Sequence, residues 1–467
     1  MRVMGVLAAM LAAPALAAAA APPLPPAENQ DLARAILAEI VAVHSTHDAG
    51  TAAIARSIAA RLTAAGFSDR DVQVVADPKY PHQLNVVARL HGAGLGKPVM
   101  WIGHTDIVEA KAEDWSLPPF ALTEKDGYFY GRGTSDMKGP DAAVLASLIR
   151  LKQEGFTPDR DIIAAFTADE EVGLEQDGVD YLLKQRPELV DAGLVINPDG
   201  YSGKLDGEKR LTFSVETSQK TYVTFVLETI NPGGHSSLPR TDNAIYSLAA
   251  GLVRLQSFRF PVVVNATTRL YLERMAGLTQ GQKGADMRAV ARARPDLAAA
   301  ARLSEDVGLN ALLRSTCVAT MLSAGLQENA LAQRASATVQ CRIMPGQTPE
   351  QTRLALVRVL DDPSIRVTIP DKVVSSPESA PTPELMGRVE QVVHGMWPGV
   401  PVLPVMAAGA SDSLYTRNAS VPSYGISGAW NDVADDRDHG RDERIPVAGF
   451  FESVEFTYRL MKELSRK

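Results

Sequence analysis

The chain has 467 residues, 45% hydrophobic and 22% charged, with a formal net charge of −8. That is ordinary soluble composition, and the length allows two or three domains with cores of their own. An acidic balance with no basic footprint argues against a nucleic-acid partner.

In chain order, the N-terminus carries the first signal. Arg2 precedes an apolar run from Val3 to Ala13, and Ala15-Leu16-Ala17 offers small residues for cleavage. Residues 1–21 therefore read as a secretory signal peptide, too short for a lasting membrane span. No later stretch is apolar enough to span a bilayer, so a secreted or periplasmic protein is expected, with no membrane contact after cleavage. Pro22 to Pro26 reads as a linker, and Asp31–Val43 as a helix with apolar residues at Leu32, Ile36, Ile40 and Val43 and Asp31 as N-cap. Leu84–Leu90, Val99–Ile102, Ile162–Phe166 and Leu194–Ile196 read as strands, and Asp141–Gln153 as a helix. Short apolar strands alternating with helices predict an α/β sheet covered on both faces.

The pattern changes near Lys220. Thr221–Glu228, Thr316–Leu322, Ala337–Ile343 and Ile365–Ile369 read as strands, Asn243–Leu255 and Glu350–Leu360 as helices, with an Ala/Arg/Leu-rich stretch up to Arg314 between them. The α/β pattern resumes with a helix at Pro383–Met396, a strand at Ser423–Ile426 and a helix at Val447–Leu464. The simplest architecture is one α/β domain (22–217 and 377–467) interrupted by an inserted α+β domain at 218–376. Two cysteines, Cys317 and Cys341, are too few for a Cys-rich metal site. An oxidising compartment leaves a disulfide open to them, but nothing in the sequence brings their Cα atoms together, and buried free thiols are the expectation.

The chemistry gathers where strands end. In open α/β sheets ligands sit beyond the carboxyl ends of the strands. Gly103-His104-Thr105-Asp106 follows one apolar run, Thr167-Ala168-Asp169-Glu170-Glu171 another, and Asn197-Pro198-Asp199 a third. Gly131 to Gly139, which contains Asp136, precedes the helix at 141. One such carboxylate is usually a cap or a loop residue. Four segments aiming His or carboxylates at one rim are harder to explain that way, and crowded carboxylates call for a cation. Imidazole with carboxylate suits zinc, with cobalt or manganese as substitutes. The His104-x-Asp106 spacing lets Asp106 orient the histidine.

These stretches resemble the metallopeptidase M20 family of carboxypeptidases, dipeptidases, aminoacylases and succinyl-diaminopimelate desuccinylase. The likeness continues through Asn231 to Pro239, Gly325…Asn329, Arg342…Pro345-Gly346, Gly409-Ala410-Ser411-Asp412 and His439…Glu443. Trp115…Pro118-Pro119-Phe120 resembles the carboxypeptidase and acyl-amino-acid hydrolase branches in particular. The resemblance implies a zinc-peptidase-like α/β sandwich whose inserted domain is a lid that dimerises. It implies two zinc ions, one on His104, Asp136 and Asp199, the other on Asp136, Glu171 and His439. Glu170 becomes the general base, Asp106 a supporting catalytic residue, and His235 the oxyanion stabiliser, in many members supplied by the partner subunit. Asn329 and Arg342 become substrate-binding residues, the guanidinium suiting a free carboxylate. The expected reaction is cleavage of an amide bond, releasing a C-terminal amino acid from a dipeptide or short peptide, with an N-acyl amino acid as the alternative substrate.

Some features stand apart. His44, His47, His82, His91 and His394 read as surface or packed residues. Asp412 and Glu443 have no derivable ligand role, and support for the ligands is the expectation for both. Glu273–Arg314 reads as an expansion of the lid, and Asn431–Asp442 is rich in acids and arginine around His439. A non-catalytic binding protein on a hydrolase fold would have no need of both Glu170 and the full ligand set. A serine hydrolase lacks its Gly-x-Ser-x-Gly elbow here.

Overall fold

The computed structural model describes residues 21–173, 176–407, 409–432 and 434–467. The signal peptide expected at 1–21 lies, Ala21 aside, outside them. No described helix is long and apolar enough to cross a membrane.

The first helix runs Ala27–Val41, entered directly from Pro26. It begins earlier than expected, and Asp31 lies inside it rather than capping it. Pro26 takes the cap position, and its carbonyl accepts from the amides of Asn29 and Gln30 at 2.9 and 3.0 Å. Ala33, Ile36, Leu37 and Ile40 recur at helical spacing and are buried.

A ten-stranded mixed sheet forms the catalytic body. Its first member, Val72–Ala76, pairs antiparallel with Leu84–Leu90, which in turn pairs antiparallel with Ile162–Thr167. At its centre Ile162–Thr167, Val99–His104, Leu194–Asn197 and Ser423–Gly425 run parallel. The first two of these are buried along their whole length. Helices Ala27–Val41, Lys138–Gln153, Pro383–Met396 and Val447–Leu464 cover one face, and Gly178–Gln185 with Ser413–Asn418 covers the other. The parallel strands therefore open His104, Thr167, Asn197 and Gly425 onto one rim. Strand polarity, set by the crossovers, gathers the site there.

Lys209–Gln219 still belongs to this sheet, and Val402–Ala407 lies parallel beside it. Lys220 is the single residue before Thr221–Ile230 enters a second, four-stranded antiparallel sheet. That sheet runs in the order Thr316–Ala324, Arg334–Ile343, Thr221–Ile230, Arg366–Thr368. Helices Ala244–Ser257 and Pro349–Leu360 cover one of its faces around Phe225, Leu248, Val339 and Leu356.

Two expectations are corrected. Cys317 and Cys341 are not free thiols: they stand opposite each other in adjacent antiparallel strands and form a disulfide. Strand register made them neighbours, and register between two strands is not written in either one. The Glu273–Arg314 stretch does not extend the lid sheet. Helices Ala266–Leu278, Gly281–Val290, Leu297–Leu303 and Val307–Leu313 enclose a small core of their own. The first lies on Val402–Ala407 of the catalytic body. Thr267 Oγ1 meets Thr217 Oγ1 at 2.6 Å, and Arg274 Nη1 donates to the carbonyl of Val402 at 2.7 Å. Periodicity predicts helices but not the surface they cover.

Candidate metal centre and active-site cleft

Two groups of ligand atoms form at the rim. His104, Asp136 and Asp199 make one, and Asp136, Glu171 and His439 the other, with the ligand atoms of each within 4.8 Å of one another. Asp136 belongs to both. Its Oδ1 faces His104 Nε2 at 3.1 Å, and its Oδ2 faces His439 Nε2 at 3.0 Å. His439 Nε2 also lies 3.2 Å from Glu171 Oε1. A carboxylate split between two histidines, with one further carboxylate on each side, suits two divalent cations of the zinc, cobalt or manganese type.

The supports explain the precision. His104 Nδ1 lies 3.1 Å from the backbone carbonyl of Asp106, which turns Nε2 toward Asp136. The Asp106 carboxylate, fully buried, lies 3.7 Å from the same His104 Nδ1 and accepts from the amides of Glu170 and Glu171 at 3.3 and 3.1 Å. Asp106 thus meets His104 through its main chain and stands close to it through its carboxylate, which also fixes the acidic pair. The turn before that pair holds Asp169 at φ 66°, a conformation uncommon outside glycine. His47 Nδ1 meets the Asp169 carboxylate at 2.9 Å, and Gln83 Nε2 donates to the His47 carbonyl at 2.7 Å. The hydrogen bond to Asp169 raises the His47 pKa above its ordinary value. His47, read as a bystander, thus braces the Glu170 turn.

Glu443 is the fastener of the Asp136 loop. It is fully buried, and its two oxygens accept from Arg132 Nη1 at 2.6 Å and from the amides of Gly133, Ser135 and Asp136 at 2.9, 2.8 and 3.1 Å. Ser135 Oγ adds a bond at 2.8 Å. Gly133 has φ 86°, and a Cβ there would stand 2.9 Å from Lys138 Cδ, so the turn requires glycine. The acid- and Arg-rich segment around His439 bonds largely to itself and this loop. Asp435 pairs with Arg437 and Arg444, and Asp438 accepts from Ser135 Oγ at 2.6 Å and Tyr201 OH at 3.1 Å. Asp412 joins neither ligand group: it is buried beside Thr167 Oγ1, 3.4 Å away.

The electrostatics are those of a cation site. Burial and the neighbouring charge of Asp136 push the Asp199 carboxyl up to about 8. Burial raises Glu170 well above the carboxylate range; His104 opposes this, while Asp199, Asp412 and Glu171 add to it. Asp136 goes the other way, because hydrogen bonds from His104 and His439 outweigh its burial. The bond to Asp136 raises His439 to about 9, with Glu171 adding to it against the effect of burial. A cleft of about 500 Å³ opens beside these groups. Glu170, Glu171 and Tyr415 line it from the body, Lys220 and Tyr222 from the start of the lid. His235 and Asn329 lie elsewhere, both exposed on the lid. Gly234–His235 pairs with Ala330–Leu331, and the Asn329 carbonyl accepts from the Ser236 amide at 3.1 Å. Neither lines this cleft. Arg342 lies on the lid with its guanidinium 4.7 Å over the Tyr222 ring.

The sequence model of peptidase family M20/M25/M40 matches residues 100–463, which takes in both ligand groups, Glu170 and Glu443. The chain belongs to this family. With M20 membership comes the class of activity, metal-dependent hydrolysis of amide bonds. Among curated proteins, the chain is 29% identical over 407 residues to an N-fatty-acyl-amino acid synthase/hydrolase of Danio rerio, covering 85% of this chain and 77% of that protein. A probable carboxypeptidase S-like 2 of Dictyostelium discoideum is 28% identical, with 79% and 72% covered. Among solved M20 folds, a metallo-carboxypeptidase of Sulfolobus solfataricus superposes with a TM-score of 0.66 at 17% identity, covering 93% of this chain and 99% of that one. Human carnosine dipeptidase 1 gives 0.59 at 16% identity, with 94% and 97% covered.

Proposed function

We propose that the enzyme releases an amino acid with a free α-carboxylate from an amide, using two zinc ions and Glu170 as its base. One observation carries this reading. Glu170 stands outside both ligand groups, yet is pinned through its amide to Asp106 and lines the same cleft. Two cations at these ligands would polarise the scissile carbonyl and acidify a water. Glu170 takes the proton of that water and gives it to the leaving amine, as a carboxyl with a raised pKa can do in both directions.

The acyl partner is a second amino acid or a fatty acyl group. The relatives named for N-fatty-acyl amino acids favour the fatty acyl group. The test is hydrolysis by the purified protein of dipeptides, tripeptides and N-acyl amino acids, read by mass spectrometry with Glu170→Ala as blank. Cleavage of peptides alone would remove the acyl reading. No cleavage in zinc- or cobalt-supplemented buffer would remove the hydrolase reading for both substrate classes.

Arg342 is assigned to the substrate carboxylate, since a guanidinium fork pairs with it bidentately. Amidating the substrate carboxylate is expected to lower kcat/KM by about tenfold or more, the loss of one charge-assisted hydrogen bond. Equal kcat/KM for amide and free acid would remove the assignment.

His235 is proposed to stabilise the oxyanion of a second copy, with Asn329 beside it on substrate. The support is the lid surface. Thr316–Ala324 is a sheet edge that exposes Val318, Met321 and Leu322, and helix Ala244–Ser257 exposes Ile245, Tyr246 and Val253. Unpaired edges and apolar patches of this kind favour pairing. Mixing two inactive variants, Glu170→Ala and His235→Ala, should restore about a quarter of the wild-type sites, because half the dimers are mixed and each then holds one complete site. A mixture as inactive as its parts would exclude this arrangement. The disulfide supports export to an oxidising compartment.

A further inference from the structure

Two buried carboxyls that neither ligand group uses, Asp177 and Asp412, line the cleft beside Glu170. Asp177 is 1% exposed and Asp412 3%. Each opens a helix, Gly178–Gln185 and Ser413–Asn418, and these helices pack together on one face of the sheet. Each carboxyl has one oxygen in use. Asp177 Oδ1 accepts from the amide of Asp180 at 2.9 Å, and Asp412 Oδ2 lies 3.4 Å from Thr167 Oγ1. The other oxygens, Asp177 Oδ2 and Asp412 Oδ1, are buried and meet no donor among the described residues. Yet the two carboxyls lie within hydrogen-bonding reach of each other.

Two ionised carboxylates have no hydrogen to offer each other and repel. One proton between them gives both orphan oxygens a partner and leaves a single negative charge. Burial favours that state: it pushes Asp177 up to about 7 and Asp412 well above the carboxylate range, where the charge of Asp177 adds to the rise. The charges nearby mostly act the same way. Glu170 and Asp106 face Asp177, and Asp106 also faces Asp412, where His104 opposes it. Arg417, on the helix that Asp412 opens, turns to Glu216 and Gln219, and Lys184, on the other helix, pairs with Asp180. Across the cleft, Lys220 donates to the carbonyl of Arg314 at 2.8 Å, and Asp371 and Lys372 stand together on the lid side. The pair also joins two parts of the cleft wall. The amide of Gly178, next to Asp177, donates to the carbonyl of Ala168, two residues before Glu170, at 2.8 Å. Ala410 and Ser411, just before Asp412, line the same cleft.

We propose that Asp177 and Asp412 share one proton and act as one positioning unit, which holds the Glu170 turn against segment 410–412. Its bearing on turnover rests on the reading of Glu170 as the base. The pair itself touches no substrate.

Infrared difference spectra of the metal-loaded enzyme, taken on the acid side of neutrality, read the proton through the C=O stretch of a protonated carboxyl. The variants are Asp177→Asn, Asp412→Asn and the two alanine replacements. In Asp177→Asn the side-chain oxygen keeps the bond from Asp180 and the nitrogen donates to Asp412, which then ionises. Asp412→Asn does the same in reverse. Each single asparagine should therefore remove the same one band, although each leaves a carboxyl in place. Two independent carboxyls would lose different bands, and that result, or a wild type without such a band, overturns the proposal. On substrate, the asparagine variants should keep kcat within about threefold, and the alanine variants should lose about tenfold or more, because alanine leaves the other carboxyl buried without its partner. Equal kcat in alanine and asparagine variants overturns the positioning role. If the wild type cleaves no amide, the hydrolase reading fails by itself. The pair is then decided by the infrared bands and by the unfolding midpoints, which only alanine should lower; equal midpoints overturn it.

Discussion

Replacing Glu170 by glutamine is expected to lower kcat by about 10²- to 10⁴-fold, the usual weight of a positioned general base, while leaving the metal content unchanged. Glu170 is absent from both ligand groups, so its loss removes no metal bond. Its amide, not its side chain, is the part held by Asp106, so the turn also survives the change. A neutral amide in its place keeps the shape but can take no proton from the attacking water. Metal analysis and kcat on one preparation check the claim. A variant with near-wild-type turnover would remove Glu170 as the base. A dead variant that had also lost its metals would make it a structural support instead.

The second large effect is expected at Glu443. Every group aimed at its carboxylate is a donor: the Arg132 guanidinium, three backbone amides and the Ser135 hydroxyl. Glu443→Gln sets an NH₂ against donors and leaves the buried Arg132 facing a neutral group. Arg132 has further contacts, with the Gly440 carbonyl at 3.0 Å and the Trp115 ring at 5.1 Å, so it has little room to leave. Breaking a buried charge pair of this kind costs about 3–5 kcal/mol. Because the same carboxylate positions the Asp136 amide, metal affinity should fall about 10- to 100-fold, as it does when the groups behind metal ligands are removed. Urea unfolding and metal competition measure the two effects. An unchanged midpoint together with unchanged affinity would show that the Asp136 loop holds itself.

The division between what was written locally and what was assembled at distance follows from this site. Sequence periodicity located the strands ending at His104, Thr167 and Asn197, because an apolar run of strand length reports its own burial. The residues at and just beyond those strand ends supplied His104, Glu170, Glu171 and Asp199, because a parallel sheet carries its chemistry at its carboxyl rim. The Gly-rich segment before the helix at 141 supplied Asp136, and only His439 came from motif resemblance alone. What the sequence could not determine involves partners far along the chain. Glu443 meets Gly133 across 310 positions, and His47 meets Asp169 across 122. The pairing of Cys317 with Cys341 depended on strand register, and the docking of Ala266–Leu278 on the Thr217 surface depended on which helix face found which strand. Local spacing fixes which face of an element is apolar. Only tertiary packing decides what that face meets, and it alone set the supports that hold the ligands.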